Sequence, residues 1–550
     1  MDQLSSRRAG PAPASVPAPS EGGAPRPGRR SAFADDPVLT AALDAALDEP
    51  GEKELVALGA YWGSAEAEEV ARIACASPPA LRRFDEQGRP VDQVEVHPAY
   101  HALMKRSVGS GLLSSAWEEG EERTQHRMRA AALHLTAQCE RGHLLPVSAT
   151  HAAVAALACA GELEAELFPL IASRRYDRRP LPLAHKEGAS VALALAEPPM
   201  DGAAATCAEP AGGNVVRVTG TKWLVAGPTS DLLLVLAEDA DGPTTVMVPR
   251  LAPENAGAVR IEALTDVGGL TAQAFGRIAF DGAEGRIIGE PGRGLSVLRD
   301  VRTLLALDGA TIAAGAMRAA VVRAVRDARR EGASAQEEDG PLRARLLADI
   351  ALESAAQTAL AIRLATAFDQ AFERDGDHAV ARLVTAAAGL AAMTCAPTVA
   401  RSAREAVGPS ASVAGHPVAR IAADVGALSA LDGGGTRAAA ELARLVDRDP
   451  NVLRDALEEL GADLGSANGD LVDDTLALGE RAAADVAVAR AFAEQLAMVA
   501  AASAMRRNLP RVVADAYVAT RLRGRHRAGH GAFDGRFDAD AILDLVVPGD

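Results

Sequence analysis

Apolar positions recur at helical spacing from Asp36 to about Ser190, with breaks at Ser77-Pro78-Pro79 and between Asp85 and Pro90. The period then changes to short β-rich runs: VALALAE from Val191, NVVRVTG from Asn214, KWLVA from Lys222, DLLLVLAE from Asp231, TTVMVP from Thr244, VRIEAL from Val259 and GRIAFDG from Gly276. Gly, Pro, Asp or Asn separates them, the punctuation of a compact β domain. From about Leu295 the helical period returns. Met317, Val321, Val325 and Ala328 fall on one face, and Leu342, Leu346 and Ile350 continue the habit in the next helix. A Gly-rich break at Asp432–Gly435 precedes a last helical region. Residues 1–35 are rich in Pro, Ala, Gly, Ser and Arg and cannot bury enough apolar surface to order themselves. The pattern therefore predicts a disordered tail (1–35), a helical domain (36–190), a middle β domain (191–290), a helical bundle (291–440) and a helical extension (441–550).

A chain of 550 residues is too long for one hydrophobic core. Aromatics are only 3%, so its cores must be Ala, Leu and Val packed in helices. The net charge of −17 opposes non-specific attraction to nucleic acid or anionic membrane. Cys75, Cys139, Cys159, Cys207 and Cys395 are odd in number and contain no C-x-x-C pair, as expected of core thiols in a reducing cytoplasm. The N-terminus lacks the apolar segment of a secretory signal. The uncharged stretch Leu383–Ala400 is Ala/Thr-rich and carries Gly389 and Pro397, which predicts a buried bundle helix rather than a membrane span.

The order helices, small β unit, long helical bundle resembles the acyl-CoA dehydrogenase superfamily, and local strings resemble its AidB-type branch. Those strings are SPPALRRFDEQGRPVDQVEVHPAYHALM (Ser77–Met104), SAWEEG (Ser115–Gly120), RYD (Arg175–Asp177) and GTKWLVAGPTSDLLLVLA (Gly220–Ala237). The similarity runs over roughly residues 36 to 440, and the C-terminal extension matches the branch in length. The resemblance implies a mainly α protein with a middle β-barrel or sandwich domain and a homo-oligomeric habit, dimer or tetramer. It also implies an FAD lying between the β domain and the later helices, which accepts a hydride from an acyl thioester while a carboxylate removes a proton.

The family's side chains are mostly replaced. The Met-Thr-Glu-x-x-Gly-Gly-Ser-Asp motif aligns with Leu195-Ala196-Glu197-Pro198-Pro199-Met200-Asp201-Gly202, where only Glu197 stays in register and two prolines remove backbone donors. In the Gly-x-Lys-x-aromatic-x-Thr/Ser motif, Leu224 holds the aromatic position and Ala226 the hydroxyl position. Trp223 is the neighbour by one, facing the other side of a regular strand, and reads as core packing or as a displaced flavin contact. Of Arg-x-x-Phe-Gly, which serves a neighbouring subunit's FAD, Arg330 survives without Phe-Gly, and Glu337, Glu338 and Asp339 follow it. Leu-Gly-Gly-x-Gly-Tyr reads Val407-Gly408-Pro409-Ser410-Ala411-Ser412, and the Thr-Arg pair of AidB-type proteins reads Ala306-Leu307.

The base-bearing Trp/Tyr-Glu-Gly-x-Gly-Asn segment reads Leu431-Asp432-Gly433-Gly434-Gly435-Thr436. Asp432 is a carboxylate at the base position, one methylene short. Nitroalkane oxidases of the superfamily use Asp there, while Asp before Gly also opens turns. The sequence therefore predicts weak or absent FAD binding, with a flavin-free repurposed enzyme or scaffold as the first reading. An oxidoreductase with Asp432 as base and Glu197, Trp223, Arg330 and Gly433 at the cofactor is the second.

His97 and His101 sit four apart, a metal-compatible spacing without a third ligand, while His143, His151 and His185 read as isolated. Residues 506–527 carry seven arginines against one aspartate, and AidB-type proteins are linked to DNA through this region. Residues 441–505, however, hold five basic and thirteen acidic residues, and aromatic stacking partners are few. An intramolecular or oligomer contact is the expected role, with DNA binding weak or absent, and a DNA-associated protein is the third reading.

Overall fold

The computed structural model describes residues 31–43, 48–118, 125–199, 205–332, 340–373, 379–431, 435–524, 529–532 and 536–549. The Asp432 and Gly433 positions lie outside them, as do most of the Pro-rich tail, Glu337–Asp339, Arg525 and Arg527. Residues 31–35, assigned by composition to that tail, form a turn that buries Phe33 in the main core.

Helices α1 (Pro37–Leu43), α2 (Glu49–Trp62) and α3 (Ala65–Ala76) open the fold. Asp48 caps α2 by accepting from the Gly51 amide, and Ser64 caps α3 through the Ala67 amide. The expected all-helical stretch then breaks. Residues Ala80–Phe84 (β1) and Pro90–Glu95 (β2) pair as an antiparallel hairpin. Its turn lies where the sequence has Asp85 to Pro90, and the Asp85 carboxylate accepts from the Gln87 and Arg89 amides. The side chains of β1 are largely exposed, so no buried face imposed a period that could be read in advance. Helices α4 (Pro98–Gly109), α5 (Gln125–Cys139), α6 (Leu144–Leu157) and α7 (Glu162–Ile171) complete the first part.

Strands β3 (Val191–Ala194), β4 (Cys207–Gly212), β5 (Val215–Ala226), β6 (Leu232–Asp239), β7 (Gly242–Pro249), β8 (Val259–Leu264) and β9 (Phe275–Ile288) form one sheet. The path β6-β4-β5-β9-β7 returns to β6 and closes a barrel, with β3 added on β6 and β8 on β9. Alternation along β5 puts Val216 and Val218 inside, and β6 and β7 contribute Leu233, Val235, Val246 and Val248.

The bundle is α8 (Gly294–Gly332), α9 (Gly340–Glu373), α10 (Ala379–Val407) and α11 (Pro417–Leu431). Met317, Val321 and Val325 are buried as the period predicts, and Ile350 too, whereas Leu342 in the first turn of α9 is exposed. Small residues let the helices approach: a methyl at Gly315 of α8 would sit 2.5 Å from the His134 carbonyl of α5. The extension adds α12 (Thr436–Arg448), α13 (Pro450–Leu464), α14 (Gly469–Ala484), α15 (Ala489–Asn508), α16 (Arg511–Tyr517) and α17 (Ala539–Val546). Three helical stretches, Gly294–Arg330, Ala379–Val407 and Val486–Asn508, are long and apolar enough to cross a membrane. Their apolar windows are mostly buried against neighbouring helices in this fold, including the Leu383–Ala400 stretch within α10.

Candidate functional site

The positions aligned with the flavin motifs fall after β3 and on β5 of the barrel, and on α8 and the segments flanking α11 in the bundle. The barrel is joined to the bundle at α11. The Leu270 amide donates to Asp424 Oδ1 (2.7 Å), and Arg141, fully buried, pairs with Asp424 Oδ2 at 2.7 Å. A side chain at Gly269 would overlap the Ala423 carbonyl at 2.3 Å, so the approach requires glycine.

At the barrel corner the polar groups bond to one another. Lys222, 2% exposed, reaches Glu197 Oε1 at 2.5 Å, and Glu197 also accepts from the Thr206 amide and hydroxyl, both at 3.2 Å. Glu197, the one motif residue still in register, therefore neutralises a buried ammonium within the β domain. The Trp223 amide donates to the Ala196 carbonyl (2.9 Å), and its indole Nε1 donates to Thr265 Oγ1 (3.2 Å). Strict strand alternation does not hold here. The β5–β9 register shifts between Lys222 and Val225, with Leu224 at φ +53, so a bulge rather than a regular pleat sets where Trp223 and Leu224 lie.

On the bundle side the former Thr-Arg positions are built into the helix contact. A methyl at Gly389 of α10 would sit 3.3 Å from the Ala306 Cβ, and Leu307 is 2% exposed. Gly435, at φ +72, starts α12 directly against Leu390, whose Cγ would lie 2.7 Å from an added methyl. The Val407–Ser412 segment is a short 3-10 turn after Gly408 (φ +79), with Ala411 buried. Arg330 is 67% exposed in its side chain and 4.0 Å from Asp327. The structure therefore brings Glu197 and Trp223 together at the barrel corner and leaves Arg330 exposed at the end of α8.

Buried in the interior lie charged networks that no local motif announced. Arg129 and Asp308 form a two-pronged pair (2.6 and 2.7 Å), each 2% exposed in its side chain. Asp36 takes Arg318 at 3.2 Å and His134 at 3.4 Å; burial opposes its charge, yet Arg318 and His134 hold the carboxyl below its ordinary value. His143 and His151 are not isolated. His143 Nδ1 meets Glu140 Oε2 at 2.5 Å and its Nε2 meets Ser107 Oγ at 2.8 Å. Burial would raise Glu140, but the His143 hydrogen bond, the His143 and Arg141 charges and the amides bring it down to about 2. Serine, histidine and carboxylate serve nucleophilic catalysis elsewhere, but Ser107 is 0% exposed, so no substrate carbonyl reaches it. The relay pins α4 to α6. His151 Nδ1 accepts from Trp117 Nε1 (2.9 Å), and burial, with Arg129 nearby, drives His151 well below its ordinary value and His126 to about 3.

His97 caps α4 by accepting from the Ala99 amide, and His101 Nδ1 shares a hydrogen bond with the Tyr176 hydroxyl (2.8 Å). Among the described residues no group of three or more His, Cys, Asp or Glu side chains is placed to hold a metal ion. Part of the C-terminal basic patch is neutralised within the chain. Arg521 bonds Asp349 (2.6 Å) and Glu353 (3.0 Å), and Arg523 bonds Asp470 (2.7 Å).

Barrel, bundle and extension in this order define an acyl-CoA dehydrogenase-type architecture, and comparison with known proteins agrees. Residues 24–178 match the family described as Adaptive response protein AidB N-terminal domain. The chain is 34% identical to the putative acyl-CoA dehydrogenase AidB of Escherichia coli K12 over 344 residues, 61% of this chain and 63% of that protein. The matched region thus spans less than two thirds of the relative's length. The fold is shared with ACDH-11 of Caenorhabditis elegans in complex with C11-CoA (TM-score 0.76, 17% identity, 96% of this chain and 94% of that one). It is also shared with an acyl-CoA dehydrogenase of Bacillus anthracis complexed with FAD (TM-score 0.59, 16% identity, 84% and 83%). In sequence the chain is thus similar to AidB-type proteins over these regions, and its fold is that of the acyl-CoA dehydrogenases.

Proposed function

We propose that this protein is a descendant of the acyl-CoA dehydrogenases that has lost tight FAD binding. It keeps the fold and a homo-oligomeric habit in the cytoplasm. It acts as a scaffold or regulatory subunit, or as an enzyme using the old acyl crevice without the cofactor. One observation carries the reading: the polar groups at the crevice are already bonded to each other. Glu197 holds Lys222 and Thr206, the Ala196 carbonyl holds the Trp223 amide, and the Trp223 indole holds Thr265. The two hydroxyl positions are Ala196 and Ala226. These residues do not fit an isoalloxazine edge, which needs hydroxyl and amide donors free to face it.

If each lost contact is worth about 1 kcal/mol, several together weaken binding by powers of ten. Titrating the protein with FAD and following flavin fluorescence tests this. The account expects no saturation at micromolar FAD, and stoichiometric saturation below about 10 µM would overturn it.

A second reading keeps an acyl thioester or nitroalkane substrate and Asp432 as the base. Its support is the Gly-rich sequence kept between Leu431 and Gly435, with Gly435 itself in a left-handed conformation at the start of α12, against Leu390 of α10. It requires flavin bleaching by substrate that Asp432→Asn abolishes; unchanged bleaching in that variant removes Asp432 from the chemistry. DNA binding belongs to neither reading. Arg521 and Arg523 already hold carboxylates, so association with DNA is expected to be weaker than micromolar near physiological salt.

A further inference from the structure

A cavity of about 370 Å³ opens where the ends of α2 and α5, the middle of α8, the start of α11 and the segment after α17 meet. None of the positions aligned with flavin motifs lines it. Four arginines stand in its wall, Arg318, Arg323, Arg326 and Arg420, against two carboxylates, Asp35 and Glu68. Arg318 is engaged by Asp36 and by the Asp35 and Val546 carbonyls, and Arg323 by Asp327.

Arg420 differs. Its guanidinium has no ion pair or hydrogen bond among the described residues, and its Nε is closed off from water. Two further wall side chains share that condition, since Trp62 Nε1 and Gln138 Nε2 are buried donors without an acceptor. A buried donor left unpaired costs about 1–3 kcal/mol, so three around one cavity call for an acceptor-rich partner. Arg420 and Gln138 are long and only half-buried, so a rotamer change turns either toward a bound group. The remaining wall includes apolar Val322 and Ile421.

We propose that this cavity binds a small organic anion, its carboxylate or phosphate-monoester head held by Arg420, Trp62 and Gln138 and its short apolar body lying against Val322 and Ile421. The volume suits a ligand of modest size, since small-molecule sites begin at about 300 Å³. Val547, Pro548 and Gly549 form one side of the wall, and Arg318 holds the Val546 carbonyl at 2.6 Å, so the last helix helps to close the site. The proposal is independent of the flavin reading, because it uses none of those residues.

The test is to titrate the full chain with hexanoate, hexyl phosphate, inorganic phosphate and hexanol, reading tryptophan fluorescence and thermal midpoint. One of the two hexyl anions is expected to saturate by about 10 mM and to bind at least about tenfold more tightly than hexanol. The tighter of the two identifies the head group, and inorganic phosphate separates head from body. Arg420→Met is expected to weaken binding about tenfold at an unchanged midpoint, and Trp62→Phe to remove the fluorescence response and to weaken binding severalfold as read by the thermal shift. Equal affinity for hexanol and the anions overturns the proposal on the wild-type protein alone, whatever the fate of the variants. So does unchanged affinity in a folded Arg420→Met protein.

Discussion

Arg129 and Asp308 illustrate how single residues are constrained in this chain. Each is buried and, among the described residues, forms its ion pair only with the other, with the Leu112 carbonyl taking the Arg129 Nε. Removing one partner strands the other, so Asp308→Ala is expected to cost roughly 3–5 kcal/mol in urea unfolding, whereas a double replacement by Leu and Met costs far less. Equal losses in the single and double variants would contradict this. The buried histidines set a pH dependence. His126 (to about 3) and His151 lie below the ordinary 6.5, so the unfolded chain takes up protons that the folded one refuses. Their stabilisation is complete above pH 6.5 and declines as pH falls, by roughly 1.4 kcal/mol per unit per histidine. Asp369 runs the other way: burial raises it to about 6, so its contribution improves as pH falls from 6 toward 3.8. Between pH 6.5 and 5 the unfolding midpoint is expected to drop, and His126→Leu to flatten the drop; a flat wild-type profile would contradict the assignment. These pairings were not legible in sequence. Arg129 and Asp308 are 179 positions apart, and the only trace was a charge set in an otherwise apolar helical run.

At the scale of elements, hydrophobic period located the helical regions and six of the seven barrel strands because burial on one face imposes it. It missed β1–β2 and β4, whose side chains are mostly exposed, and it misjudged the pleat at Trp223, where the bulge with Leu224 at positive φ breaks alternation. The replaced flavin side chains were legible at Ala196, Leu224 and Ala226, because loss of a hydroxyl or ring is visible in the letters alone. What Glu197 does was not, since its partner Lys222 is brought to it by the fold. The C-terminal extension is held by a comparable device. Arg521 follows α16 in a π turn, Val518–Leu522, and fills a pocket of carboxylates on α9. Burial opposes the Glu353 charge, but Arg521 and Gln357 keep it below its ordinary value. Arg521→Met is expected to cost about 3–5 kcal/mol and to speed proteolysis after α15. Unchanged cleavage would show that apolar packing alone holds the extension.

For the whole molecule, the proposed reading has the architecture outlast the flavin site because the two rest on different residues. Barrel and bundle are held by Ala, Leu and Val cores and by the joint of Arg141, Asp424 and Leu270, none of which aligns with a flavin motif. The flavin motifs that the chain resembles rest instead on a few hydroxyls, rings and glycines, and the aligned positions here carry alanine, leucine and proline. The most direct measurement is the visible absorption spectrum of the protein purified from cells supplied with riboflavin. The account predicts a colourless protein without a band at about 450 nm. A yellow protein carrying one FAD per chain would contradict it.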